Sequence, residues 1–345
     1  MVLSTIFFIM MDMLNKLLIL RTPGIGPMKY KTLLEKFGSD ENIIKHLNPS
    51  DDFIDNVKRE MDKAFDMGIE YISDTDSRYP RGLLTVKNHP IVITVRGNIS
   101  TLSKQCVSIV GTRHSTAAGM KFISEIANDF AKHNFVVVSG MAMGTDTAAH
   151  RGALHSDGDS QTVAVLAGGV DYVWPLENES LYYEILERGA VISEMPVGMM
   201  PIAQNFVQRN RWVAAMSDTL IVGEADEKSG SMTTARFAID YNKRIFAVPG
   251  HPSDARSVGP NSLIKNRVAT MCLSSKDFFD DEKEIKNEKN TKPENEILDK
   301  LGMIPVSESV LANLVKKTVS EIKSDLVVLE LQGLIRKQDG GYVLN

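Results

Sequence analysis

Between residues 71 and 248, short β-branched runs recur with helix-length segments between them, and this alternation constrains the fold more than any other feature. The runs fall at 91–95, 107–110, 135–138, 162–166, 190–193, 219–222 and 245–248. Neighbouring strands joined by a helix lie parallel, because the connection carries the chain back to the end from which it started. The expected fold is therefore α/β, a mostly parallel sheet of βαβ units covered on both faces. In such a sheet the carboxyl ends of the strands share one edge, and the residues that follow them line it.

The run 107–110 breaks into Gly111-Thr112-Arg113. Beyond it, the segment 116–133 places Phe122, Ile123, Ile126, Ala127, Phe130 and Ala131 at helical spacing. A glycine turn between strand and helix gathers backbone N–H groups where an anion can sit, and Arg113 stands beside it. The plainer alternative is a tight turn with a solvated rim charge. The dinucleotide fingerprint is missing: no second and third glycines follow Gly111, and the run 135–138 ends in Ser139-Gly140 without an acidic residue for a ribose. No nicotinamide or flavin cofactor is expected. The other strand ends read Ser139-Gly140-Met141-Ala142-Met143-Gly144-Thr145-Asp146, Gly168-Gly169, Glu194-Met195-Pro196, Gly223-Glu224 with Ser229-Gly230-Ser231 beyond it, and Pro249-Gly250. Glycine beside Ser or Thr suits close backbone approach to phosphates, and the convergence of several such turns on one rim argues more than any one.

The segment 205–211 reads Asn-Phe-Val-Gln-Arg-Asn-Arg. On a helix whose other face carries Phe206, Val207, Trp212 and Val213, Arg209 and Arg211 would stand beside the rim and grip phosphates in bidentate fashion. The same arginines could instead pair with Glu194 or Glu224. A net charge of −5 over 345 residues excludes whole-surface binding of nucleic acid, so a polyanion site must be a local concentration of cations. Cys106 and Cys272 form no metal spacing and fit a reducing compartment. No metal cluster is expected, since His150 and His155 sit off the helical pairing that ligands use.

The first twenty residues are apolar but carry Asp12 and Lys16, without a basic leader or small-residue cleavage site. They read as a buried or amphipathic helix, not a signal or membrane segment, and Met10, Met11 and Met13 offer later starts. Residues 14–74 read as small helices. Within them, Thr22-Pro23-Gly24-Ile25-Gly26-Pro27 looks like a helix-hairpin-helix turn, whose flanks are not basic enough to favour phosphate over a protein contact. Boundaries are expected at 1–74 for a helical domain of helix-hairpin-helix or SAM-like type, 75–275 for the sheet domain, 276–292 for a charge-dense linker and 293–345 for a last unit. That unit reads as helices at 293–301, 307–316 and 319–332, with Ile322, Leu326, Val327, Leu329 and Leu331 mostly inward, and a hairpin over 333–344. It resembles a winged helix. Its third helix carries only Lys323 beside Glu321 and Asp325, so a protein contact stays open beside duplex DNA.

Several motifs together resemble the DNA-processing protein A (DprA) family. They are Val110-Gly111-Thr112-Arg113, the segment 139–150 ending in Thr145-Asp146-Thr147-Ala148-Ala149-His150, Trp174-Pro175-Leu176-Glu177-Asn178, Arg209-Asn210-Arg211, Ser229-Gly230-Ser231, Ala247-Val248-Pro249-Gly250 and Gly259-Pro260-Asn261-Ser262-Leu263-Ile264. The resemblance spans about 14–345. It implies an extended Rossmann-like DNA-binding domain and a winged-helix-like carboxyl-terminal domain, in a cytoplasmic protein that is usually a homodimer. Its implied function is to bind single-stranded DNA, protect incoming DNA and load the RecA recombinase in natural transformation and homologous recombination, with no catalytic turnover. Implied DNA contacts are Gly111, Thr112, Arg113, Ser139, Gly140, Arg209, Asn210, Arg211, Ser229, Gly230 and Ser231. Two departures remove charge: Met143 stands where the family often has Lys, and Glu177 near a position that is often basic. Lys265 and Arg267, which depart from the usual acidic-Gly-Ala ending, are expected to compensate as further phosphate contacts. Binding of this kind is sequence-independent, with Phe206 or Trp212 as a stacking surface for a base.

Two other classes compete. Nucleotide-binding or nucleotide-hydrolysing enzymes related to lysine-decarboxylase-like phosphoribohydrolases carry Pro-Gly-Gly-x-Gly-Thr-x-x-Glu, and that pattern laid on 229–236 puts Arg236 where the carboxylate belongs. A cation cannot replace that acid or base. Asp146, His150 and Glu194 are the remaining acid–base groups, although an Asp near a helix start is also an ordinary cap. A nucleotide sensor, holding one phosphorylated ligand, is the third class.

Overall fold

The computed structural model describes residues 2–156, 161–281, 296–302, 305–331, 333–338 and 340–344, with side chains from residue 11 onward. The chain divides into two compact units, Met1–Phe278 and Phe279–Asn345. Among the described residues, nine strands of the first unit form one sheet: β1 (Ile69–Ser73), β2 (Val92–Gly97), β3 (Cys106–Val110), β4 (Val136–Ser139), β5 (Thr162–Val165), β6 (Ala190–Ser193), β7 (Thr219–Val222), β8 (Arg244–Ala247) and β9 (Thr270–Met271). Their order is β1-β2-β6-β5-β4-β3-β7-β8-β9. From β3 to β9 every pairing is parallel, while β2 lies antiparallel to both β6 and β1. The seven runs legible in the sequence match β2 to β8, with ends displaced by one or two residues, and β1 and β9 correspond to none of them.

The chain steps outward from β3 through β4 and β5 to β6, then crosses back to place β7 on the other side of β3. Because such crossovers are right-handed, reversing direction moves the connecting helices to the opposite face. Helices α6 (Ala117–Lys132), α7 (Thr145–Leu154) and α8 (Glu179–Arg188) cover one face, and α9 (Ala203–Ala215) and α10 (Gly230–Asp240) the other. Alternate residues of single strands serve the two layers. Val163, Val165, Ala190 and Ile192 pack with Trp212, Val213, Ala235 and Ala238, whereas Ala164 and Val191 pack with Leu181, Tyr182 and Ile185. The gap between β3 and β7 is the switch point, where a doubly wound sheet opens a crevice.

Ahead of the sheet, α1 (Val2–Arg21), α2 (Pro27–Phe37), α3 (Asp40–Leu47) and α4 (Asp51–Asp66) enclose Leu17, Leu18, Ile19, Tyr30, Ile43 and Val57 together with Ile91 and Val92 of the sheet side. The polar pair that argued against a membrane segment is satisfied within this core: the Lys16 ammonium sits 2.7 Å from Asp12 and 3.2 Å from Asp40. No helix among the described residues is long and apolar enough to cross a membrane. The sheet begins at Ile69, inside the stretch that the sequence reads as helical, because antiparallel pairing with β2 imposes strand geometry on it.

Side chains of this helical segment also hold the loop that leads into α9. The Glu60 carboxylate accepts from Arg21 at 2.7 and 2.9 Å, from the Tyr71 hydroxyl at 3.0 Å and from the Val197 amide at 3.3 Å. Asp171 accepts from Lys63 at 2.6 Å and from the Gly198 amide at 2.7 Å.

Residues 275–281, expected largely as linker, are helical, and 282–292 lie outside the described residues. In the second unit the expected first helix is partly outside them too, and 298–300 form a single 3₁₀ turn. Two helices, α12 (Glu308–Leu314) and α13 (Val319–Leu331), precede the hairpin of β10 (Ile335–Gln338) and β11 (Gly341–Leu344). Ile322, Leu326 and Leu329 point inward as expected, but Val327 and Leu331 are exposed, at 53% and 84%. Positions 322, 326 and 329 share one stripe of the helix, and 327 and 331 lie off it.

Candidate nucleic-acid interface

At the switch point the turns after β3 and β4, the middle of α9 and the start of α10 surround a cavity of about 300 Å³. Of the residues proposed from the sequence, Gly111, Thr112, Arg113, Gly140, Arg209, Asn210, Ser229, Gly230 and Ser231 line it. They come from four separate stretches of chain, and the doubly wound topology unites them.

Each wall has a local cause. Ser229 caps α10, its hydroxyl accepting from the Met232 amide and lying 2.7 Å from the Ser231 hydroxyl. The first-turn amides of a helix have no intrahelical acceptor, so this end presents N–H groups and a positive pole to the cavity. Asn210 donates to the Gly230 carbonyl at 3.2 Å and ties α9 to that end. In the turn after β4, Gly144 has φ +77°, a backbone state that glycine adopts without strain, and a Cβ there would collide with the Thr112 and Arg113 carbonyls. At Gly140 the Arg209 guanidinium fills the space that a Cβ would need.

The two arginines of the cavity differ in kind. Arg209 is 6% exposed and donates to the carbonyls of Gly140 and of Val165, the latter at 2.7 Å. Burial lowers its pKa, with Asp146 opposing that shift and Arg113 adding to it. Burial raises the pKa of Asp146, and Arg209 opposes it. Arg209 is thus a fixed charge in the floor, joined to the ends of β4 and β5. Arg113 is exposed, its guanidinium 5.4 Å from the Trp174 ring centroid and 5.5 Å from that of Phe206. The two rings meet edge to face at 4.8 Å. This cation rests on an aromatic corner with its donors available to a ligand.

Four expected site residues lie elsewhere. Ser139 is fully buried and its hydroxyl donates to the Ile109 carbonyl at 2.6 Å, a tie between strands. Arg211 turns away from the cavity, lies 3.8 Å from Glu194 and stacks 4.0 Å over the Trp212 ring. Lys265 and Arg267, at the end of α11 (Val258–Lys265) and just beyond it, are exposed and do not line the cavity. Trp212 is 2% exposed and belongs to the core, so of the two stacking candidates only Phe206 borders the cavity. Met143 is exposed at 41% in the turn after β4, and Glu177 is exposed too.

Among the residues absent from the expected DNA contacts are Trp174, which supports Arg113 from outside the lining, and Asp146, which lines the cavity together with His114 and Thr234. Trp174 stood in view as part of a turn motif, Asp146 as a helix cap. The acid–base candidates are otherwise engaged: Asp146 accepts from the Ala142 amide at 3.2 Å, and His150 is fully buried with Nδ1 2.7 Å from the Thr162 hydroxyl. Glu224 holds the start of α6, accepting from the Thr116 amide and hydroxyl at 2.7 and 2.6 Å. Arg236, on α10, is exposed and outside the cavity lining.

A family model described as DNA recombination-mediator protein A matches residues 70–283, and one described as DprA winged helix domain matches residues 283–341. The protein Smf of Synechocystis sp. is 34% identical over 241 residues, which are 69% of this chain and 55% of that protein, so the chain spans little more than half of that relative. The solved structure of DNA processing protein A from Streptococcus pneumoniae is similar with a TM-score of 0.62 at 30% identity, over 70% of this chain and 81% of that one. For the Helicobacter pylori DNA processing protein A, described for its single-stranded DNA binding mode, the values are 0.56 and 31%, over 61% and 94%.

Proposed function

The chain belongs to the DNA recombination-mediator protein A family, and from that premise we propose that it binds single-stranded DNA without sequence preference, through the cavity at the switch point. The observation that carries the reading is the pairing of two chemistries there: backbone amides of the α10 start and the glycine turns for phosphates, and Arg113 on an aromatic corner at the open edge. Single strands offer phosphates and bare base faces together, which a duplex does not. The description of the Helicobacter pylori protein as a binder of single-stranded DNA supports this reading. In it the protein acts in natural transformation and homologous recombination, protects incoming strands and loads RecA on them, as a cytoplasmic homodimer without catalytic turnover. The placing of two of the three acid–base candidates outside the cavity, His150 fully buried against Thr162 and Glu194 beside Arg211, supports that last point.

The test is a titration of a labelled thymidine 30-mer and of a duplex of equal length across salt concentrations, for wild type and Arg113→Ala. Tighter binding of the single strand is expected, with affinity falling steeply with salt. Loss of one phosphate contact lowers the salt slope by about 0.7 for a single strand, and affinity should fall about tenfold. Equal binding of the duplex, or an unchanged Arg113→Ala variant, overturns the proposal. Displacement of the 30-mer by a mononucleotide at similar concentration would favour the nucleotide-sensor reading instead.

A further inference from the structure

Helix α13 precedes the hairpin and holds the place of the helix that DNA-reading members of this architecture lay in the major groove. Its outer face is unsuited to that role. At about 100° per residue, Ser320, Ser324, Val327, Val328 and Leu331 fall on one stripe, opposite the buried Ile322, Leu326 and Leu329. The stripe holds no charged residue, and Val327, Val328 and Leu331 are all exposed on it. Cations around it pair with acids of the same unit: Lys317 lies 2.9 Å from Asp325, Lys323 3.6 Å and Lys337 4.0 Å from Glu308. A face of this kind suits another protein surface and has nothing for phosphates.

Size and charge along the stripe say which protein. The stripe is small at its start, with Ser320 and Ser324, and large at its end, with Leu331. A second copy laid antiparallel therefore sets the large end of each over the small start of the other. Lys323 and Glu330 stand seven residues apart and so share one edge of the stripe. They also lie equally far on either side of the point between residues 326 and 327. A twofold axis there brings each Lys323 opposite the Glu330 of the other copy, and Val327 and Val328 meet at the centre. Acids on the other edge are engaged within their own chain: Glu321 accepts from the Thr318 amide and hydroxyl at 2.9 and 2.7 Å, and Asp325 from Lys317. We propose that the exposed face of α13 is a self-association surface, on which two copies of this chain pair antiparallel about residues 326 and 327. The inference rests on the homodimer reading and gives it a surface in the second unit. So short a stripe buries little area, and the contact is weak and reversible.

The test is disulfide trapping in the full chain under a mild oxidant, read on non-reducing gels. Val327→Cys sets a thiol beside the axis, the exposed Asn313→Cys on α12 is the reference, and wild type gives the background from Cys106 and Cys272. Covalent dimer should form roughly tenfold faster for Val327→Cys than for Asn313→Cys, because the axis holds its two thiols together. Adding Lys323→Glu or Glu330→Lys alone should slow it about fivefold, the worth of two exposed pairs. Adding both should restore the rate, since the exchanged charges attract again. Equal rates for the two thiols, single reversals without effect, or a double variant as slow as the singles overturn the surface. A dimer that persists in sedimentation through any of those failures leaves the homodimer reading standing on another surface.

Discussion

Arg211 offers the sharpest test of what the structure adds, because its motif points to DNA and its geometry points to Glu194. The two side chains are 14% and 12% exposed and 3.8 Å apart. At an effective dielectric constant of about 20, unit charges at that separation attract by about 4 kcal/mol. Removing one partner of such a pair leaves the other charge stranded, which costs about 3 kcal/mol, the lower end for buried pairs given this long contact. Arg211→Ala should therefore lower the melting temperature by roughly 6–12 °C while leaving the affinity of the folded protein for single-stranded DNA within about twofold. The pH dependence follows from Glu194, whose pKa is raised by burial and held back by Arg211. Without Arg211 it rises further, so the variant's deficit is present above that raised pKa and shrinks as pH falls through it, until the group is protonated in folded and unfolded states alike. Thermal melts at pH 7.5 and pH 5 with a binding titration at 20 °C measure all three quantities. A stable variant whose affinity drops as far as that of Arg113→Ala would refute the argument and return Arg211 to the DNA.

Three further outcomes are expected. Gly140→Ala sets a methyl against the buried Arg209 guanidinium, so circular dichroism melts should show a loss of about 2 kcal/mol or more, and DNA binding should weaken with it; a neutral substitution would mean that Arg209 is not held there. His150 is fully buried, and burial pushes its pKa down to about 3 from an unfolded value near 6.5. Its contribution is present above pH 6.5 and declines as pH falls towards 3, at up to about 1.4 kcal/mol per unit, so the stability gap between wild type and His150→Gln should narrow from pH 7 to pH 5 in urea titrations; a constant gap contradicts a buried neutral imidazole. Glu60→Ala strands Arg21 and the Val197 amide and should cost about 3 kcal/mol by the same melts, which an unaltered midpoint would disprove.

The sheet was legible because seven short apolar runs could be nothing but strands covered on both faces, and the rim followed from parallel direction alone. Strand β1 was not, since Ile-Glu-Tyr-Ile-Ser has no strong period of its own and takes its shape from β2. The structure parts the two arginines of the motif for a geometric reason that the sequence contained: residues two apart on a helix point about 200° from each other, so Arg209 lines the cavity while Arg211 lies by Glu194. The Arg113 corner was out of reach, because Trp174 and Phe206 are brought to it by separate crossovers.

The family match starts at residue 70, yet Glu60 and Lys63 lie before it and fix, through Val197, Asp171 and Gly198, the approach to α9. The front helices therefore act as a splint on the arm that carries Phe206 and Arg209. Trimming the chain to the shared domain would keep every residue that lines the cavity and remove two of the ties that fix the approach to α9, so the segment outside the family match helps to place Phe206 and Arg209.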